Sequence, residues 1–154
     1  IPNGTYGGVR GRGLVAPSYS ISIQKRREGG IAMMAWLAVA VGGAVGSLLR
    51  YGLGLAMNQP GLPAGTWLAN VSGSFLIGLL YAWGKEKGLM SLEMYLLFTT
   101  GLMGGFTTFS TFSLEVVSFI GDGQIGRGLF YAGASVLAGL LACGSGIWIG
   151  RQVW

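Results

Sequence analysis

The ten residues from 104 to 113, with the sequence GGFTTFSTFS, hold the side chains best suited to chemistry in this chain. They include five hydroxyls and three phenylalanine rings inside an uncharged and otherwise apolar run, residues 94–114. A hydroxyl can donate a hydrogen bond, and an aromatic ring has a positive edge that attracts anions. Where such a run crosses lipid, backbone loosened by paired glycines must be buried in protein or line a wet cavity. We therefore expect the functional site here.

Three interpretations of this segment are open from its residues alone. Phe109 and Phe112 share one helix face, with Ser110 and Ser113 one step round, so ring edges and hydroxyls can hold an anion. Carbonyls freed at a helix break can instead bind a cation. In the third interpretation the segment is a kinked helix whose rings pack in the core and whose hydroxyls bond to their own backbone.

The composition indicates a membrane protein. The chain has 154 residues, of which 51% are hydrophobic and 10% are charged, and soluble domains usually carry more charge. Four segments with little or no charge, residues 33–49, 63–84, 94–114 and 128–150, are each close to the ~20 residues that cross a bilayer as a helix. The short loops between them leave no room for a soluble catalytic domain, so we expect the function to lie within the membrane.

The predicted fold is an all-α membrane protein with helices at about residues 35–57, 63–84, 93–120 and 126–150. On the first helix, Gly42, Gly43 and Gly46 have the small-residue spacing that lets helix backbones approach closely. The third helix is expected to break around Gly104 and Gly105 and to resume through Phe109 to Ile120.

Residues 1–32 differ from the rest of the chain. They are rich in Gly, Ser and Arg and lack helical periodicity, so we expect them to be disordered. We also hypothesise that they are a non-native extension, because codons for residues 27–30 can spell a ribosome-binding sequence just before Met33 and Met34. The predicted domains are therefore an N-terminal extension at 1–32 and a four-helix unit at 33–154.

Polar residues on the first two helices each have a structural and a functional interpretation. Arg50 either extends to the membrane interface or lies buried and attracts an anion. Asn70 has more donors than its own helix can satisfy, so we expect it to bond across a helix interface or to an ion. Ser72 and Ser74 can bond to carbonyls of their own helix.

Basic residues outside the N-terminal extension are almost evenly divided between the two sides of the predicted bundle. Lys85, Lys87 and Arg151 fall on one side, against Arg50 and Arg127 on the other. A bias of three to two fixes no orientation under the positive-inside rule, so both orientations can insert. Counting the extension makes the bias eight to two, and the orientation then depends on whether that extension is present.

Three ordered motifs resemble the Fluc/CrcB family of fluoride ion channels. The resemblance runs from Met34 to Arg151 and is carried by residues 104–113, by Gly42-Gly43-x-x-Gly46-x-x-x-Arg50-Tyr51 and by Gly65-Thr66-x-x-x-Asn70-x-x-Gly73-Ser74-Phe75. It implies a passive fluoride-selective channel in a prokaryotic plasma membrane, which exports fluoride from the cytoplasm and relieves its toxicity. It also implies an antiparallel, dual-topology homodimer with two pores, with which the even charge distribution is consistent.

The resemblance further implies which residues form the fluoride pore. Those that match are Asn70, Phe109, Ser110, Phe112, Ser113, Tyr131 and Ser135. Phe109 and Phe112 match a phenylalanine box whose ring edges face the ion. Tyr131 and Ser135, four residues apart on one face of the last helix, match a polar track. Gly139 stands where some members continue that track with a hydroxyl.

Supporting residues and a cofactor follow from the same resemblance. Arg50 matches a basic residue of the first helix, and Glu115 matches an acidic residue beyond the break. The family holds a structural sodium ion at the dimer axis through backbone carbonyls, and Gly104 and Thr107 match those positions.

Other functional classes fit the sequence less well. A small multidrug exporter needs an ionisable carboxylate in the first helix to exchange protons for a cation, and this helix has Arg50 but no acid. A non-conducting membrane scaffold, with polar groups used only in helix packing, is a further alternative. Histidine is absent, Cys143 is the single cysteine, and no nucleophile–base pair or metal cluster is visible, so we do not expect an enzyme.

Overall fold

The structure is a computed structural model that describes residues 31–153, and it is mainly helical. Helix α1 (Ile31–Met57) leads into strands β1 (Asn58–Gln59) and β2 (Leu62–Pro63), which pair antiparallel around a turn. Helix α2 (Ala64–Leu80) continues as a π-helical stretch (Tyr81–Glu86). Helix α3 comprises Leu92–Leu96, a π-helical stretch (Leu97–Met103) and Gly104–Phe106. Helices α4 (Phe109–Gly121) and α5 (Ile125–Gln152) complete the chain.

Helix α1 begins at Ile31, a few residues before the predicted start at about 35. Ile31 and Ala32 extend the apolar run of the helix in the N-terminal direction. The rest of the segment predicted to be a disordered or non-native extension, residues 1–30, lies outside the described residues.

Two of the helices are long and apolar enough to cross a membrane. They are the segments Met33–Met57 and Ile125–Gln152, with mean hydropathies of 1.5 and 1.7. Helix α2 has 17 residues before its π-helical continuation, and α3 is separated from α4 by two non-helical residues. Neither of the two central segments is therefore a single regular helix as long as the first and last helices.

Large apolar side chains cover much of the surface. Trp36, Leu55 and Phe130 are each more than 70% exposed, and no large side chain among the described residues is fully buried. An apolar surface of this extent is typical of a protein surrounded by lipid or by another protein chain. The buried apolar residues are Ala69, Ala82, Met103, Phe112 and Phe119.

Glycines bring α1 into backbone contact with α3. A Cβ atom added at Gly42 would lie 2.8 Å from the Leu102 nitrogen, and one at Gly46 would lie 2.8 Å from the Phe106 nitrogen. Both distances are shorter than a carbon–nitrogen contact allows, so only glycine permits this approach. The close packing predicted from the glycine spacing of α1 is confirmed.

Glycines also bring α2 and α5 together. A Cβ atom at Gly146 would lie 3.1 Å from the Leu79 nitrogen, and one at Gly150 would lie 2.7 Å from the Ala82 Cβ atom. Farther along, the Glu86 carboxylate accepts hydrogen bonds of 2.8 and 2.5 Å from the Arg151 guanidinium. The two helices therefore run parallel, with their C-terminal ends joined by an ion pair.

The contact between α1 and α3 yields a stability prediction. Substitution Gly46→Ala should lower the free energy of unfolding by about 1–3 kcal/mol, because the added methyl group meets rigid backbone. Thermal unfolding in detergent measures the change. Gly52→Ala, on the same helix with no atom within 4 Å of the added Cβ, is the matched control and should be neutral or stabilising. Equal destabilisation by the two substitutions would contradict the packing described here.

Candidate functional site

The centre of the candidate site is a two-residue interruption between α3 and α4. Thr107 (φ −84°, ψ 156°) and Thr108 (φ −149°, ψ 117°) are extended, so regular helical hydrogen bonding stops here. The Asn70 side chain replaces part of that bonding. Its Oδ1 accepts from the Thr108 N–H at 2.7 Å, and its Nδ2 donates to the Thr108 carbonyl at 3.0 Å. The expectation that Asn70 bonds across a helix interface is therefore confirmed, and its partner is backbone.

The interruption lies three residues after Gly104 and Gly105, around which the break was expected, and the helix resumes at Phe109 as predicted. Both Gly104 and Gly105 stay helical, and Gly105 is used for packing: a Cβ atom added there would lie 3.1 Å from the Gly43 Cα atom. Threonine suits the extended conformation, since its β-branched side chain favours that region over the helix. Gly73 of α2 faces the Thr107 side chain at the same level.

Arg50 stabilises the backbone just before the interruption. Its Nε atom donates a hydrogen bond of 2.9 Å to the Gly105 carbonyl, which lies in the last turn of α3. A helix end leaves its final carbonyls without N–H partners, so a cation here has both a hydrogen-bonding and an electrostatic role. Arg50 is half-buried, and the structure places its charge beside the break.

Thr108 begins the next helix as its N-cap. Its Oγ1 accepts from the Thr111 N–H at 3.1 Å and donates to the Thr111 Oγ1 at 3.0 Å. The Ser110 hydroxyl lies 3.2 Å from the same oxygen. Ser113 instead donates to the Phe109 carbonyl of its own helix at 2.8 Å. The hydroxyls of this segment therefore form a local cluster at the start of α4.

The two phenylalanines that match the phenylalanine box lie side by side but differ in exposure. The ring centroids of Phe109 and Phe112 are 5.7 Å apart, with an angle of 48° between the ring planes. Phe112 is 8% exposed and packs on Tyr131, with centroids 5.5 Å apart, whereas Phe109 is 78% exposed. The Phe109 ring therefore faces outward on the single chain, where another molecule can contact it.

A chain of hydrogen bonds connects the start of α2 with α4 and α5. The Thr66 hydroxyl donates to Glu115 Oε1 at 2.6 Å, and the Tyr131 hydroxyl donates to Glu115 Oε2 at 2.8 Å. Asn58 caps α2, because its Oδ1 accepts from the Gly65 and Thr66 N–H groups. Glu115 thus has two donors, and it fixes the position of Tyr131 on the polar face of α5.

Ser135 lies one turn beyond Tyr131 on the same face of α5. Its Oγ atom is buried and has no hydrogen-bond partner among the described residues. Buried hydroxyls without a partner are uncommon, and each one calls for an explanation such as a bound ion or water. The Ser135 hydroxyl is therefore a pore-residue donor that makes no well-formed hydrogen bond among the described residues.

Sequence reasoning missed three residues that build this site. Sequence patterns do not indicate a site role for Thr66 or Asn58, and they present Thr108 only as one hydroxyl among several. Thr108 had a usable signal, because a threonine three residues before Thr111 at the start of an apolar run is typical of an N-cap. The Glu115 partner of Thr66 is 49 residues away, so no local pattern identifies it. Asn58 bonds to Gly65 and Thr66 across the short turn between α1 and α2.

Comparison with known proteins places the chain in a family. A family model described as "CrcB-like protein, Camphor Resistance (CrcB)" matches residues 37–147. A protein of Hyphomonas neptunium named "Fluoride-specific ion channel FluC" is 43% identical over 79% of this chain and 99% of its own length. A protein of Thiobacillus denitrificans with the same name is 46% identical over 75% of this chain and 95% of its own length. A protein of Bacillus subtilis named "Fluoride-specific ion channel FluC 2" is 40% identical over 79% of this chain and 91% of its own length. With a family match over most of its length and relatives that align almost end to end, the chain belongs to the CrcB family.

Proposed function

We propose that this protein is a passive, fluoride-selective ion channel that exports fluoride from the cytoplasm and thereby relieves fluoride toxicity. The observation that carries the proposal is the group of hydroxyls and ring edges around the interruption between α3 and α4, in a chain whose relatives are named fluoride-specific channels. The pore residues of the proposal are Asn70, Phe109, Ser110, Phe112, Ser113, Tyr131 and Ser135, with Arg50 and Glu115 as supporting charges.

The chemistry of fluoride fits these residue types. Fluoride is small and strongly hydrated, so donors must replace its water in a narrow path. Neutral hydroxyls and an amide can do so and still release the ion, whereas a full positive charge in the pore would bind it too tightly for rapid passage. A membrane potential that is negative inside drives the anion outward, so a passive channel suffices for export.

We further propose four membrane crossings in a prokaryotic plasma membrane. In this arrangement α1, α2 and α5 each cross once, and α3 with α4 forms one crossing that is interrupted at Thr107 and Thr108. Non-helical backbone at membrane depth is tolerated where protein satisfies it, and the bonds from Asn70 supply that here.

An antiparallel homodimer completes the proposed channel. Phe109 and Ser110 are exposed in the single chain although they begin the helix that follows the interruption. A second copy would cover them and close a narrow path against the ring edges. The nearly even distribution of basic residues supports insertion in both orientations.

A structural sodium ion at the dimer axis is the proposed cofactor. Helix α3 ends at Phe106, so its last carbonyls are freed and its negative end favours a cation. Gly104 and Thr107 carry two of those carbonyls, and Gly104 is exposed on the single chain, where a second copy can reach it. Freed backbone carbonyls suit sodium, and the described residues contain no cluster of three acidic, His or Cys side chains for another metal. When bound, the ion supplies a fixed positive charge and a bridge between subunits.

Fluoride efflux is the direct test of the function. Liposomes loaded with potassium fluoride and containing the purified dimer should release fluoride when a potassium ionophore is added, because the ionophore relieves the opposing voltage. Liposomes loaded with potassium chloride should retain their anion. Efflux no faster than from protein-free liposomes, with a dimer verified by size-exclusion chromatography, would contradict the proposal.

The rings give a mutational prediction. Phe112→Ile should slow fluoride efflux at least about tenfold, since the isoleucine side chain has no positive ring edge, and a tenfold slowing corresponds to a barrier that is about 1.4 kcal/mol higher. Phe109→Ile should act in the same direction. Phe130→Ile is the matched control, because Phe130 is 76% exposed on α5 and makes no ring contact among the described residues. Normal efflux through both box variants would exclude a role for ring edges.

Sodium removal should destabilise the dimer. A ligand present at 100 times its Kd stabilises the state that binds it by about 2.7 kcal/mol. The melting temperature in detergent should therefore fall when sodium chloride is replaced by N-methylglucamine chloride at equal ionic strength. Lithium and potassium salts serve as controls for the size of the cation. An unchanged melting temperature in N-methylglucamine would argue against a sodium site.

A further inference from the structure

On the facing sides of α2 and α5, the polar positions recur every four residues. On α5 the face carries Tyr131, Ser135 and then Gly139, where the row of hydroxyls stops. Opposite Gly139 the nearest atom is the hydroxyl of Ser74 on α2: a Cβ atom at Gly139 would lie 3.5 Å from the Ser74 Oγ. The hydroxyl missing from α5 at this level is therefore present on the facing helix.

The facing row on α2 has the same spacing. Thr66 and Tyr131 both donate to Glu115, and eight residues farther along each helix Ser74 lies beside Gly139. Asn70 is midway between Thr66 and Ser74. Since α2 and α5 run parallel, the two rows form one polar seam between the helices.

The donors of this seam are not equally available. Thr66 donates to Glu115, and the Asn70 amide is bonded to the Thr108 backbone. Ser72 donates to the Leu68 carbonyl of its own helix at 2.6 Å. Ser74 differs from these residues, because its hydroxyl makes no hydrogen bond within the part of the chain that the structure describes. It shares this property with Ser135 on the opposite helix.

Helix packing does not account for the gap at Gly139. Gly146, farther along α5, faces backbone so closely that no side chain fits, with the Leu79 nitrogen 3.1 Å from an added Cβ atom. At Gly139 the Ser74 hydroxyl, at an ordinary contact distance, is the one atom found within 4 Å of an added Cβ among the described residues. Glycine at this position leaves open space beside an unused donor.

We propose that Ser74 is a further fluoride-binding residue, whose hydroxyl contacts the ion beside Gly139 after the ion has passed Ser135. In this chain the row of donors thus crosses from α5 to α2 instead of continuing along α5. The inference rests on the proposed function as a fluoride channel, and it adds a binding residue to the proposed path. The chemistry is donation of one O–H hydrogen bond to a partly dehydrated anion.

The test compares serine substitutions on α2 in the liposome efflux assay. Ser74→Ala should slow fluoride efflux about five- to tenfold, whereas Ser72→Ala, which removes a hydroxyl bonded to its own helix, should leave the rate unchanged. Ser74→Thr, which keeps a hydroxyl, should retain most of the rate. Each variant is first verified as a dimer with the melting temperature of the wild type.

A double variant tests the position of the donor. Gly139→Ser should restore efflux to Ser74→Ala, because the new hydroxyl on α5 enters the space beside residue 74. Wild-type rates in a folded Ser74→Ala dimer would overturn the inference while leaving the channel function intact. If Ser74→Ala is slow and neither Ser74→Thr nor the added Gly139→Ser restores the rate, the Ser74 hydroxyl serves packing. That result would also overturn the inference. Absence of fluoride efflux from the wild type would remove the channel function itself.

Discussion

The site depends on one constraint: backbone that leaves the helical conformation away from water must find its hydrogen bonds in protein. Thr107 and Thr108 leave the helical conformation between α3 and α4, and three side chains supply hydrogen bonds there. Asn70 bonds both the N–H and the carbonyl of Thr108, Arg50 bonds the Gly105 carbonyl, and the Thr108 hydroxyl caps α4. Each unmade bond would cost about 1–3 kcal/mol, so these contacts allow an interruption to persist where a continuous helix would otherwise be favoured.

The glycines of the chain make those contacts geometrically possible. Gly42 and Gly46 bring the backbone of α1 against α3, which puts Arg50, one turn beyond Gly46, within reach of Gly105. Gly73 lies against Thr107, one turn after Asn70 on α2. The interruption in turn exposes hydroxyls and a ring at the start of α4. Close packing on one side of the break and the cluster of hydroxyls on the other therefore have the same structural origin.

The sequence predicted most of this arrangement where the signal was local. Hydropathy, glycine spacing and the excess donors of Asn70 are properties of a few neighbouring residues, and they indicated helical segments, close contacts and a cross-helix partner. The break was placed at Gly104 and Gly105 because glycine is the weakest helix former in the segment. Tertiary contact with Gly43 outweighed that preference and kept Gly105 helical. The Thr66–Glu115–Tyr131 bonds join three separate helices, so they depend on packing that no local pattern encodes.

We propose that the bonds from Asn70 to Thr108 hold the interruption open and so create the proposed ion site. The most direct measurement is fluoride efflux through Asn70→Leu, which keeps similar side-chain volume but removes both hydrogen bonds. We predict that the Asn70→Leu dimer has a lower melting temperature and that its fluoride efflux is slowed at least about tenfold, because the donors at the start of α4 lose their fixed positions. A dimeric Asn70→Leu protein that released fluoride at the wild-type rate would contradict it.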